Sequence, residues 1–289
     1  MHKTGTTFLQ WNVFHFIDAN YLWHIFYKSW LKDVLNLKKE VDYEKVKRNL
    51  SKVLRDDKVN IISEENIYTY QFTKKDDRFE RLERLKKIFP DAKIIFGTRK
   101  PEDSLVSWYV EYVSVGGVLD YQGFIEKHMN FEKLNYEPYI QKLYKLYGRK
   151  NVFVYTLNGL RKNQDEVIRN ICKFIDVEPP NNYRRKPARV SFGYGLLKLS
   201  LFLNRFFKTR VNENGLIPCW GPILPQNILF HSSIIKYFPK KKITMDHLNS
   251  LSIPEETLIK AHLKKEKKRP AVPTIVQRQV PMLSVKGMV

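Results

Sequence analysis

The chain has 289 residues, 43% of them hydrophobic, enough for one large folded domain or two small ones and too many for a wholly disordered protein. Fifty-one Lys and Arg against 30 Asp and Glu leave a net charge of +21, a field that attracts nucleic acid, anionic glycans, anionic lipid headgroups or a phosphate-rich nucleotide. Two cysteines, Cys172 and Cys219, exclude a disulfide framework and a cysteine zinc cluster, and no apolar run reaches the roughly 18 residues of a membrane span.

In chain order, the opening Lys3-Thr4-Gly5-Thr6-Thr7 precedes a stretch read as one long helix over 8–38. "YEKVKRNLSKVLRDD" has the spacing of an amphipathic helix. "KVNIISEEN" carries Val59, Ile61 and Ile62, a short β-branched core expected to form a buried strand. "RFERLERLKKIFP" is helical up to Pro90, and "AKIIFGTR" is a second strand. "PEDSLVSWYVEYV" starts a helix with Pro101 in its first turn, and "YIQKLYKLYG" is a helix ended by glycine. "NVFVYTL" is a third strand. In "NQDEVIRNICKFIDV", Asn163 and Glu166 stand at capping-box spacing ahead of an apolar stripe that includes Cys172, read as a small core residue. Short strands alternating with amphipathic helices indicate an α/β domain with a mainly parallel sheet. From Arg184 the pattern loosens into a basic loop, "RRKPARVSFGYG". The helix "LLKLSLFLNRFF" then follows, expected to pack on the sheet domain, with peripheral membrane contact as the alternative. Residues 266–289 are basic, rich in proline and without period, and are expected to be a disordered tail.

The Lys3-Thr4-Gly5-Thr6-Thr7 segment has the chemistry of an anion loop. Gly5 permits close backbone approach, the threonines add hydroxyl donors, and Lys3 adds a full charge. It is not a Walker A loop, in which lysine follows the second glycine. Lys-Thr-Gly-Thr-Thr followed by Phe8 resembles the 5′-phosphosulfate loop of sulfotransferases that use 3′-phosphoadenosine 5′-phosphosulfate (PAPS). "IIFGTRKPEDSLVSWY" resembles that family's 3′-phosphate segment, and "NVFVYTLNGLRKNQDEVIRNICKFIDVEPP" resembles its later strand and helix, with Thr156-Leu157-Asn158 in place of a usual polar-acidic stretch.

The resemblance covers about 1–205 and implies a sulfotransferase domain over 1–265. The implied fold is a P-loop-like three-layer α/β/α arrangement. It also implies a first strand directly ahead of Lys3, so that a truncated start is expected here. It assigns Lys3, Thr4, Gly5, Thr6, Thr7 and Phe8 to the 5′ end of the donor and Arg99 and Ser107 to the 3′-phosphate, with Lys3 also catalytic. "IISEEN" resembles a motif whose glutamate takes the acceptor's proton; Glu65 aligns with it, Glu64 is the fallback, and His15 and His24 are rivals. Arg189 and Ser191 resemble a late basic loop that closes over the donor. The implied reaction moves a sulfuryl group from PAPS to an acceptor hydroxyl, expected on a carbohydrate, leaving 3′-phosphoadenosine 5′-phosphate (PAP), with no metal. The other readings are an inactive truncated sulfotransferase fragment, a P-loop kinase, and a basic nucleic-acid-binding protein. The last shows no RRM, KH, zinc-finger or helix-turn-helix signature, and no nucleic-acid partner is expected. No basic-then-apolar leader opens the chain, so a cytoplasmic location is expected, with the Golgi lumen or a membrane anchor as alternatives if an upstream segment exists.

Overall fold

The computed structural model describes residues 4–23, 25, 29–70, 72–183, 193–209, 211–218 and 243–249. Lys3, His24, Arg189, Ser191, Cys219 and the 266–289 tail lie outside them.

The first helix is much shorter than the apolar run suggests. Gly5 sits in the left-handed region at φ 92°, and α1 (Thr6–Leu9) passes into a π-helical turn, Gln10–Phe14. The expected helix over 8–38 is not formed. Instead the chain extends into β1 (Asn20–Tyr21), and α2 (Ser29–Leu35) follows further along. The physical reason is tertiary. Asn20 and Leu22 donate backbone hydrogen bonds to Val59 and Ile61, which lie in or beside β2 (Asn60–Ile61), and such pairing outweighs the helical propensity of the segment. Between these strands α3 (Tyr43–Ser51) is capped by Asp42, whose carboxylate accepts from the Lys45 amide.

After α4 (Arg78–Ile88) comes β3 (Ile94–Thr98), then α5 (Pro101–Ser114), α6 (Tyr121–His128) and α7 (Glu137–Tyr147), ended at Gly148. β4 (Val152–Thr156) follows, then α8 (Leu157–Lys162), capped by the Thr156 hydroxyl, and α9 (Gln164–Ile175). Asn163 does not cap α9 with its side chain, so the capping box read from sequence is not made. Beyond lie α10 (Tyr194–Asn204), the short pair β5 (Phe207–Lys208) and β6 (Ile217–Pro218), and α11 (Met245–Asn249).

The architecture is α/β. β3 pairs β4 in parallel, with Ile94 opposite Val152 and Thr98 opposite Thr156, and β1 pairs β2 in parallel. Among the described residues these are separate two-stranded sheets; the single sheet expected from the strand pattern is not formed. Around β3 and β4 the core divides by side chain. Phe8, Leu9, Val13 and Phe14 pack with Tyr155, Leu160, Ile168, Ile171 and Cys172, which seats the N-terminal turn on β4, α8 and α9. Burial pushes the Cys172 thiol up to about 11, as suits a core residue. Tyr68, Leu82, Phe96, Tyr139 and Leu143 form a second cluster, and α5, α6 and α10 share a third. The helix "LLKLSLFLNRFF" thus packs through Leu196 and Leu197 on α5. No helix among the described residues is long and apolar enough to cross a membrane.

Candidate active site

Two features of backbone geometry hold the Thr4–Gly5 turn against the ends of β3 and β4. An added Cβ at Gly5 would meet Leu160 at 2.8 Å and Leu157 at 3.2 Å, on top of the left-handed φ. At Gly97 on β3 it would meet the Tyr155 hydroxyl at 2.6 Å and the Thr4 hydroxyl at 2.8 Å. The missing side chain at Gly97 is therefore the space that Thr4 and Tyr155 fill. Thr4 is fully buried and hydrogen-bonds the Tyr155 phenol. Arg99 lies two residues beyond Gly97, a distance of roughly 7 Å along a strand.

Thr6 opens α1 and donates its hydroxyl to Glu65 Oε1. One turn on, Gln10 Nε2 donates to the Ser63 hydroxyl at 3.0 Å and to its carbonyl at 3.4 Å. These contacts clamp the helical turn onto the segment that bears the two adjacent glutamates. Glu64 and Glu65 have different partners, Glu64 being extended and Glu65 opening a 3-10 turn. Glu64 accepts from the Asn66 amide and the Asn66 side chain and so caps the 3-10 turn Glu65–Ile67, while Glu65 faces Thr6. Tyr155 has its pKa raised, first by burial; the Thr4 hydrogen bond opposes this and the Glu65 charge adds to it, which places Glu65 in the field of the same cluster. His15 stands on the outer face of the turn, its Nδ1–H donating to the Gln10 carbonyl at 2.6 Å.

At the ends of β3 and β4 lies a groove of about 750 Å³. Thr98, Arg99, Lys100, Thr156, Phe131 and Tyr136 are among the residues that line it. The Arg99 guanidinium has its pKa lowered, chiefly by burial; Asp103 opposes this, and Arg161 on α8 pushes it further down. Burial beside a second cation is an environment that favours an anion. Ser107 is half-buried on α5 and does not line this groove. The serine one turn earlier, Ser104, is buried and shares a 3.0 Å hydrogen bond with Tyr136. Thr7 is half-buried in the first turn of α1, and Phe8 lies in the core, edge-on to Tyr183.

The structure therefore brings together Thr4, Gly5, Thr6 and Glu65, and sets Arg99 a short way along the same strand end. Tyr155, Gln10, Ser63 and Arg161 join the site without having been singled out from sequence. Gly97 was the available signal, since a glycine inside a strand marks a close approach; what approaches it depends on the tertiary fold. Among the described residues no cluster of three or more His, Cys, Asp or Glu is placed to hold a metal.

Comparison with known proteins gives three results. The crystal structure of a sulfotransferase from Alicyclobacillus acidocaldarius is similar over 60% of this chain and 71% of that one, at 18% identity and a TM-score of 0.39. No curated protein matches the sequence. Residues 1–192 match the model of the sulfotransferase domain, and the chain belongs to that family.

Proposed function

We propose that the protein transfers a sulfuryl group from PAPS to an acceptor hydroxyl, with a carbohydrate as acceptor, on a P-loop-like three-layer frame to which the β1–β2 and β3–β4 pairs belong. The observation that carries this reading is the pairing of Thr6, in the loop with anion-binding chemistry, with Glu65, the candidate base. The groove fits the donor: its volume lies within the roughly 300–1,000 Å³ of ligand sites, and it offers Arg99, Lys100 and two aromatic rings to a phosphorylated nucleoside. Lys3, Thr4, Gly5, Thr6 and Thr7 would hold the 5′ end, with Phe8 anchoring their turn in the core, and Arg99 and Ser107 would hold the 3′-phosphate. When bound, PAPS supplies an activated sulfuryl group on a phosphosulfate anhydride.

The chain's own residues then have separable tasks. Glu65 takes the proton of the acceptor hydroxyl, and the Thr6 hydroxyl fixes the orientation of its carboxylate. Tyr155 and Thr4, packed into the notch at Gly97, keep the Gly5 turn in its left-handed conformation and keep water from beneath it. Lys3 and the threonine hydroxyls stabilise negative charge as it develops at the 5′ end.

Two measurements test the reading. PAP should raise the melting temperature whereas ATP with Mg²⁺ should not; the reverse would favour a kinase. With labelled PAPS, Glu65→Gln should lower turnover by about 10²–10⁴-fold, the usual contribution of a placed general base, with PAP affinity unchanged. Full activity in Glu65→Gln, with loss in Glu64→Gln or His15→Ala, would move the base to one of those residues.

A further inference from the structure

The turn that joins Thr6 to Glu65 also carries rings outward. Directly after Gln10, which reaches Ser63, stands Trp11, 47% exposed. His15 stacks on it, ring centroids 5.4 Å apart and planes within 11°. β1 carries the chain back so that Trp23, 42% exposed, sets its edge to Trp11 at 4.9 Å and lies 5.9 Å from His15. Tyr21 meets His15 edge-on at 4.9 Å, and Phe14 braces Tyr21 from the core side at 5.6 Å.

The core does not account for this shelf. The buried face of the same turn is Asn12, Val13 and Phe14, and Trp11 and His15 point the other way. Exposed large aromatics gathered in one patch mark a binding surface. Trp11 lies in a π-helical turn, with His15 as its C-cap, and such turns are frequent at functional sites. The chemistry selects the occupant. A sugar ring has an apolar C–H face and a rim of hydroxyls, and flat indole and imidazole rings cover such a face while leaving the rim in reach of polar groups. The Gln10 carbonyl can only accept, so the hydrogen of a neutral His15 ring sits on Nδ1, and Nε2 is left as an acceptor for a hydroxyl. Continuity with the candidate base is short: Gln10 bonds Ser63, two residues before Glu65.

We propose that Trp11, His15 and Trp23 form the acceptor subsite, a shelf on which a sugar ring lies with one hydroxyl turned toward Glu65. This rests on the sulfuryl-transfer reading above, and the experiment separates the two. Titration calorimetry is run with PAP first, then with neutral, N-acetylated and uronic-acid-containing tetrasaccharides, on protein with and without PAP. At least one tetrasaccharide should bind. Trp11→Ala and Trp23→Ala should each weaken it by at least about tenfold, Trp11→Phe should recover most of the loss, and PAP affinity should hold throughout. The subsite is overturned if no tetrasaccharide binds, or if the alanine variants bind sugar like the parent. It is also overturned if sedimentation shows a dimer that Trp11→Ala dissolves, since the shelf then meets a second copy. Failure of PAP to bind would remove the donor reading and leave the sugar titration to decide the shelf on its own.

Discussion

Two regions bury arginines and use them in opposite ways. At the start of α4, Arg78 and Arg81 are almost fully buried and each faces a carboxylate. Arg78 donates to both Asp76 oxygens at 2.7 Å, and Arg81 Nη2 donates to Asp77 at 2.7 Å. Burial disfavours the Arg78 cation, yet the hydrogen bonds and charge of Asp76 and Tyr68 outweigh it, and its pKa is raised. At the end of β3 the balance is reversed: burial and Arg161 lower the Arg99 pKa against the pull of Asp103. In the first region hydrogen-bonded carboxylates outweigh burial, and in the second burial and a neighbouring cation outweigh the nearby carboxylate. The α4 region also reaches the turn that bears Glu65, where Arg81 Nη1 donates to the Asn66 carbonyl at 2.6 Å. The α4 arginines thus brace the turn that bears Glu65, while Arg99 lines the groove.

The contrast can be broken at either end. Arg81→Ala strands the buried Asp77 carboxylate and should cost about 3–5 kcal/mol of stability in denaturant unfolding. A loss below about 1 kcal/mol would show that Asp77 is solvated and the network is not what holds α4 to the Asn66 turn. Arg99→Ala, at a half-buried site, should cost clearly less stability than Arg81→Ala and weaken PAP by about 2–4 kcal/mol by calorimetry, the cost of truncating one side of a desolvated charge pair. If it instead unfolds the protein as Arg81→Ala does, Arg99 is structural and the comparison collapses.

A smaller effect sharpens the comparison through pH. Lys133 is fully buried beside the α4 arginines, donating to the Thr73 carbonyl at 2.5 Å and the Tyr70 carbonyl at 3.2 Å. Burial pushes it down to about 8, with Asp77 and Asp76 opposing and Arg78 and Arg81 assisting. Its folded pKa lies below the unfolded one, so between about pH 8 and 10.5 the unfolded chain holds more protons. Stability should therefore rise with pH across that window, by up to about 3 kcal/mol at roughly 1.36 kcal/mol per unit. Lys133→Met should remove that rise; an unchanged pH profile in the variant would assign it to other groups.

Much of this was legible in the residues. The strands at 60–61, 94–98 and 152–156 and the helices α3, α4, α5, α7, α9 and α10 follow from apolar periodicity and the placing of Pro101 and Gly148, which act over a turn or two of chain; α6 and α8 were not read from it. The anion-loop chemistry of Lys3 to Thr7, the strand-end Arg99 and the adjacent glutamates were readable for the same reason, because each is a short pattern of residue types. What only the tertiary structure decided is who meets whom. The run after Phe8 has enough apolar residues for one long helix, yet it breaks where Asn20 and Leu22 find partners near β2, 40 residues away, since long-range pairing outweighs local propensity. Glu65 rather than Glu64 faces Thr6 because Glu64 is spent on its own cap. Tyr155 reaches Thr4 only because β3 has no side chain at Gly97. Trp11, His15 and Trp23 become one shelf only because β1 folds back. Sequence patterns carry local conformation and chemical kind; contacts between distant segments are set by packing and register, which no single stretch of residues encodes.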